Sequence, residues 1–301
     1  MDRRSFLNFG RSGVLPQTPW DEFCHGVQRT VRGKFKDISV PNAPFGAAEI
    51  WIERLGDIQH LFAYAQAHHV VLALAGCTIP AAVTTRHLLI VHFSDKLNQI
   101  EKVGEQASLV QPSVKVSDLL AQGYQQFARV PGDLTIAQWF ASPQYHDCRP
   151  YHSFLSGVER ISVMFADGSQ AILGGFGVND RSALSVPILN RCIPNLFELL
   201  RDEEVEQSLQ KDVWPYTYRL DSLSKQFVDI NLARIFQGHQ GRLLWVQQWV
   251  IRKIPEDVLL LPEFSVSEDK DDCAHSPIEA RIKGLFDAEG VFLYDDEVKT
   301  S

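Results

Sequence analysis

Ile58, Leu61, Phe62 and Ala65 recur at i, i+3, i+4 and i+7, the spacing that lines one face of a helix, and predict a helix over residues 57–68. Behind it, residues 70–75 form a short continuous apolar run, as expected of a strand buried on both faces, and residues 88–93 repeat that character. Ahead of it, residues 48–53 alternate apolar and polar, a strand signal. Strand, helix and buried strand together predict a βαβ unit with a parallel pair. Residues 18–35 open as a helix, with Thr18 as cap, Pro19 at the first helical position and Asp21 and Glu22 in the first turn. A loop carrying Pro41 and Pro44 follows.

The second half reads differently. Residues 108–114 suggest a strand, and Ser117 caps a helix running to Phe127, with Leu120, Tyr124 and Phe127 on one face. Residues 158–166 and 169–173 flank Asp167-Gly168, a β-hairpin signal. An acidic helix is expected near 194–210, with 201–206 as its solvated face. Residues 229–255 read as a helix end, a Gly238-x-x-Gly241 turn, a long apolar strand and a stop at Pro255; two glycines three apart let the backbone turn tightly with positive φ. The plain reading is a helix-to-strand corner. Residues 262–275 are acidic and read as a loop. Ser276, Pro277 and Glu279 form a capping box, and Ile278, Ile282, Leu285 and Phe286 give the next helix one apolar face.

Composition narrows the function classes. The 301 residues allow two modest domains or one large one, and 45% hydrophobic with 22% charged residues is ordinary for a soluble globular chain. A net charge of -8 without a basic stripe argues against nucleic acid. No apolar run reaches the about 18 residues that span a bilayer. Cys24, Cys77, Cys148, Cys192 and Cys273 are odd in number and scattered, with no CxxC pair, so neither a disulfide framework nor a zinc or iron–sulfur site is indicated; buried thiols in a reducing cytoplasm are expected. Residues 2–7 look like a twin-arginine export motif, but Asn8, Arg11 and Gln17 interrupt the apolar stretch that export needs, so a cytoplasmic start is expected. His146, Cys148 and His152 lack a second cluster to complete a metal site, and no metal is expected. His68 and His69 read as capping or core histidines. No paired carboxylate, Ser-His-Asp set or nucleophilic cysteine has a spacing that argues for another chemistry.

Several stretches resemble the FAD-linked oxidase family, the flavoproteins that include vanillyl alcohol oxidase and glycolate oxidase. Leu232, Ile235, Phe236, Gly238, Gly241, Leu243 and Pro255 fall in step with one of its segments; Asp57, Ile58, Leu61, Ala65 and Val70 with another; Thr135, Ile136 and Ala141 with a third. Arg149-Pro150-Tyr151 is similar to a piece of the glycolate oxidase subunits. Ile282, Lys283, Phe286, Asp287, Gly290, Val291 and Phe292 match the carboxyl-terminal signature. The resemblance covers nearly the whole chain in order, and is nearest to the small FAD-type subunit of bacterial glycolate oxidase. It implies an α+β, two-lobed FAD-binding domain of the vanillyl alcohol oxidase type over residues 36–255. That domain divides into a small βαβ lobe (36–105) and a larger antiparallel lobe (106–255). An N-terminal segment (1–35) precedes it, and an acidic loop with a C-terminal helix (256–301) packs back on it, most of the cap or substrate domain being missing. The implied cofactor is FAD. Gly76, Cys77, Thr78 and Ile79 would hold its pyrophosphate, Thr135, Ile136, Ala137 and Gln138 would line the flavin, and Val246 would sit near the adenine. The implied function is that of an FAD-binding subunit in a 2-hydroxy acid (glycolate-like) oxidoreductase complex, with the other subunits as partners.

The chain also departs from the pattern. Ala137 and Gln138 stand where the family has glycines, with Trp139 next; Cys77 and Ile79 replace small or polar residues; Leu244 replaces a glycine; and Leu293, Tyr294 and Asp295 stand in place of a closing Asn-Pro-Gly. These departures support a second reading, a flavin-free scaffold acting as a non-catalytic binding or assembly subunit, its groove filled by Gln138, Trp139 and Leu244.

Overall fold

A computed structural model of the protein describes residues 18–74, 85–177, 181–224, 230–259 and 276–294. Helix α1 (Pro19–Thr30) starts at a reciprocal cap: Thr18 Oγ1 accepts from the Asp21 amide and Asp21 accepts from the Thr18 amide, both at 3.1 Å. Its buried face, Trp20, Phe23, Cys24 and Val27, packs into the same core as Ile58, Leu61, Phe62 and Ala65 of α2 (Asp57–Ala67). Between the two helices lie β1 (Gly33–Asp37) and β2 (Ala47–Ile52). The pattern of residues 18–35 gave no sign of β1, because Lys34 and Lys36 are exposed and Phe35 is the only apolar side chain in the strand.

Strands β3 (Val71–Leu74) and β4 (Leu88–Phe93) complete a four-stranded sheet in the order β1-β2-β4-β3. β2, β4 and β3 run parallel, and β1 is antiparallel at the edge. The expected βαβ unit is present, but its two strands do not pair: α2 carries the chain across to β3, and β4 then inserts between β2 and β3.

The larger lobe is an antiparallel sheet in the order β5-β6-β9-β7-β8, made of β5 (Ile100–Lys102), β6 (Ala107–Val110), β7 (Val158–Phe165), β8 (Gln170–Leu173) and β9 (Leu244–Arg252). The hairpin turns at Asp167-Gly168 as expected. The helix expected from Ser117 to Phe127 is instead two pieces. α3 (Val116–Ala121) begins earlier, where Asp118 accepts from the Lys115 amide at 3.4 Å, while the Ser117 amide is taken by Gly132 O. It stops because Gly123 takes a φ of 87° that ends the helix. A 3-10 turn, Gln125–Phe127, follows, and Tyr124 is buried with its hydroxyl on Ser108 Oγ at 2.7 Å. After α4 (Ile136–Ala141), the expected acidic helix is likewise two, α5 (Pro187–Leu199) and α6 (Glu203–Ser208). The stretch before the Gly238 turn is a 3-10 helix, Leu232–Phe236, capped by Asn231 Oδ1 on the Ala233 amide at 2.9 Å.

One core lies against a face of the large sheet, where Trp249, Ile251, Val158, Ile161 and Val163 meet α5, the 3-10 helix and α8 (Pro277–Phe286). A second core joins the small sheet to α1 and α2 and reaches across to Met164 and Trp245 of the large sheet. A short α7 (Glu256–Leu259) follows β9. The last described segment returns to the small lobe: Phe292 bridges Leu72 in parallel, the Leu72 amide donating to Val291 O (2.9 Å) and the Leu293 amide to Leu72 O (3.0 Å). Among the described residues no helix is long and apolar enough to cross a membrane.

Candidate functional site

Three parallel strands, β2, β4 and β3, end side by side at Trp51–Glu53, at His92–Asp95 and at Leu74. A cleft of about 330 Å³ opens there between the lobes. In open sheets with parallel strands, ligands settle outside the carboxyl ends of the strands where the connections diverge. Here the neighbouring strands β2 and β4 part in this way: β2 leads into α2, and β4 leads to β5 of the large sheet.

The small-lobe wall follows from strand register. Lys34 pairs with Trp51 across β1 and β2, and Trp51 pairs with His92 across β2 and β4. The three side chains therefore stand on one face in a row. Lys34 Nζ lies 4.8 Å from the Trp51 ring, and the His92 ring stacks on it with centroids 4.4 Å apart and planes 6° from parallel. His92 Nε2 is 3.4 Å from Glu49 Oε1 but off hydrogen-bond alignment. Burial pulls the imidazole pKa down, the Glu49 carboxylate opposing it less strongly, so the ring is neutral near pH 7. Glu53 and Asp95 complete this wall. Glu53 is held by Lys96 at 2.6 Å.

The large-lobe wall is Ser113, Thr135, Ala137 and Gln138. Thr135 and Gln138 cap each other: Thr135 Oγ1 accepts from the Gln138 amide at 3.3 Å, and Gln138 Oε1 accepts from the Thr135 amide at 3.1 Å and its hydroxyl at 3.2 Å. This reciprocal cap starts α4. Helical geometry then turns Ile136 and Trp139 inward. Trp139 is 2% exposed and packs edge-on against Phe127 with centroids 4.8 Å apart. Trp139 thus supports the wall from behind and does not fill the groove, and Gln138 is folded back onto its own cap. Ala137 brings one methyl group to the lining.

Of the residues the sequence put forward, the structure brings Thr135, Ala137 and Gln138 to this cleft. Ile136 is fully buried in the large-lobe core. Val246 lines a neighbouring apolar crevice of about 20 Å³, room for about one water, together with Leu244 and Phe292; Leu74 and Val91 border both spaces. Gly76, Cys77, Thr78 and Ile79 lie outside the described residues; Leu74, two positions before Gly76, lines the cleft. Sequence reasoning missed Lys34, Trp51, His92 and Ser113. Trp51 and His92 were visible as polar or aromatic residues in apolar strands, but only the register of three strands aligns them.

The other candidate chemistry has structural partners. His146 Nε2 is 3.2 Å from Phe140 O, and His152 Nδ1 is 2.7 Å from Pro150 O. Burial pushes the Cys24 thiol up to about 12 and the Cys192 thiol up to about 11, so neither offers a thiolate at neutral pH.

No family model and no curated protein matches the chain. Among solved structures, it is similar to p-cresol methylhydroxylase with substrate bound: 14% identity over 80% of this chain and 44% of that one, TM-score 0.43. Alkyldihydroxyacetonephosphate synthase gives 13% identity over 80% and 41%, TM-score 0.44. The 4-ethylphenol oxidase from Gulosibacter chungangensis, in its isoeugenol complex, gives 12% over 81% and 44%, TM-score 0.44. The chain spans less than half the length of each of these structures.

Proposed function

We propose that the chain binds FAD in the interlobe cleft and is the FAD-carrying subunit of an oxidoreductase complex acting on a 2-hydroxy acid. The observation that carries this reading is the position of the cleft. It lies at the carboxyl ends of three parallel strands, and its far wall is the 135–138 segment that the resemblance assigns to the flavin. The residues present fit the ring system of such a group. The volume is within the about 300–1,000 Å³ of ligand pockets. Trp51 and His92 line the opposite wall, the Trp51 ring lying between Lys34 and the His92 ring, and the Ser113 hydroxyl is buried without a partner among the described residues. Thr135, Ala137 and Gln138 would hold one side of the ring, and Val246 and its neighbours would close the apolar end. Bound FAD would supply the hydride and electron chemistry, while the chain supplies position, a dry wall and hydrogen bonds.

The flavin-free assembly subunit is the second reading. One feature favours it: Asp95 lines the cleft beside Glu53, which Lys96 pairs, and Lys34 is the one basic side chain among the described residues of that lining to face a pyrophosphate. A fluorescence titration of the purified protein with FAD separates the two. Saturable quenching of flavin emission at one site per chain supports the first reading. Unchanged emission at protein in large excess abandons it for the second.

A further inference from the structure

We propose that a second concavity, on the large lobe beside β8, binds a small organic acid: its carboxylate on the Arg160 guanidinium, its apolar body against Ile172, Ala183 and Val186. The inference goes beyond the flavin reading, and the concavity shares no described lining residue with the interlobe cleft.

The concavity measures about 560 Å³, inside the about 300–1,000 Å³ of ligand pockets, and lies between β7, β8 and the 3-10 turn Ser182–Ser185. Strand register assembles its polar wall. Side chains alternate along β7: Ile161 and Val163 enter the large-lobe core, so Arg160 and Ser162 stand on the other face. Ile172 is paired with Ser162, and Gln170 with Met164, which puts Ile172 and Gln170 on that same face. Gly174 then places the arginine. A β-carbon there would stand 2.8 Å from Arg160 Cγ and 3.6 Å from its Cδ, so the stem of Arg160 lies across the glycine, in space that a side chain would claim.

Among the described residues, nothing pairs with this guanidinium, and Glu159 beside it in sequence is taken by Arg252. The Ser162 hydroxyl and the Gln170 amide are likewise without partners among the described residues. Arg160 is the one charged residue in the described lining, in a chain of net charge -8.

The ligand class follows from these groups. One uncompensated guanidinium matches one negative charge, and its fork of N–H donors fits the two oxygens of a carboxylate. Ser162 and Gln170 add neutral donors on the same face. Ile172 is 66% exposed, an apolar side chain open to solvent in the same lining as Ala183 and Val186. Covering it with a hydrocarbon body is favourable. A phosphate would meet a single cation and an apolar wall, so a monoanion with a hydrocarbon part fits better.

The experiment titrates hexanoate into the full chain and follows the assigned Ile172 methyl resonance by NMR. A saturable shift is expected, with 1-hexanol and inorganic phosphate each roughly tenfold weaker or more. Arg160→Gln should weaken hexanoate binding roughly tenfold or more at an unchanged melting temperature, since this guanidinium holds no other described residue. Arg160→Lys, which keeps the charge and loses the fork, should fall between the two. No shift at Ile172 with hexanoate in large excess, an Arg160→Gln affinity equal to that of the unaltered protein, or phosphate binding as well as hexanoate overturns the inference. None of these outcomes bears on the flavin reading.

Discussion

Lys283 and Asp287 form a buried ion pair one helical turn apart, Nζ to Oδ2 at 2.5 Å, and through it the carboxyl-terminal segment holds the two lobes together. Lys283 Nζ also donates to Arg242 O (2.6 Å) and Phe292 O (2.9 Å). Asp287 accepts the amides of Val291 and Phe292, both at 2.8 Å. The pair therefore joins the end of the Gly238–Gly241 turn to the strand-like residues that bridge Leu72. Burial lowers the Lys283 pKa and Asp287 opposes that shift. Removing one partner leaves the other charge buried without compensation. Lys283→Met is expected to cost about 3–5 kcal/mol, read as a loss in urea-unfolding free energy. A loss below about 1 kcal/mol would mean the pair is not what holds the segment.

The turn itself gives a pH dependence. His239 is buried, and desolvation pushes its pKa down to about 3, from the ordinary 6.5. Between these values the unfolded chain binds the proton and the folded chain does not, so stability from this group is complete above 6.5 and falls as pH drops toward 3. Replacing His239 by Gln should flatten that part of the stability profile between about pH 6.5 and 4. An unaltered slope in denaturation midpoints across that window would exclude His239 as its source.

Gly238 has a φ of 79°, and a β-carbon there would stand 3.0 Å from Pro143 Cα. Its amide donates to Phe140 O at 2.8 Å, and the Gln240 amide to Ala141 O at 2.9 Å, so the turn is the clasp on the end of α4. Gly238→Ala should lower stability by about 1–3 kcal/mol through backbone strain and this close contact. Thermal unfolding measures it, and a melting point equal to that of the parent chain would mean that the turn accommodates a β-carbon.

Trp139 separates packing from plugging. Because it is buried beside Phe127, Phe140 and His146, Trp139→Ala should cost about 3–5 kcal/mol and bring no gain in flavin uptake. A stable variant with improved uptake would return this indole to the groove.

Much of the fold was legible because local signals agreed with the tertiary result. The i, i+3, i+4 stripe of Ile58, Leu61 and Phe62 forms α2, the Thr18 cap starts α1, and Asp167-Gly168 turns the hairpin. What failed depended on distant partners. β1 has a single apolar side chain and is a strand because β2 offers it an edge. The insertion of β4 between β2 and β3 is a matter of topology that no single segment encodes. The candidate site divides the same way. Thr135, Ala137 and Gln138 were found from their own motif, but a line of residues cannot tell which side of a six-residue helix faces a cleft, and so Ile136 and Trp139 were placed there as well. Ser113 and the Lys34–Trp51–His92 row come from strands and loops far apart in sequence, aligned only by pairing register.

The most direct measurement is the visible absorption spectrum of the purified chain after incubation with excess FAD and removal of free cofactor by gel filtration. FAD binding in the cleft requires a flavin band that co-elutes with the protein at one equivalent per chain. A colourless protein peak, with all flavin in the small-molecule fraction, would contradict it.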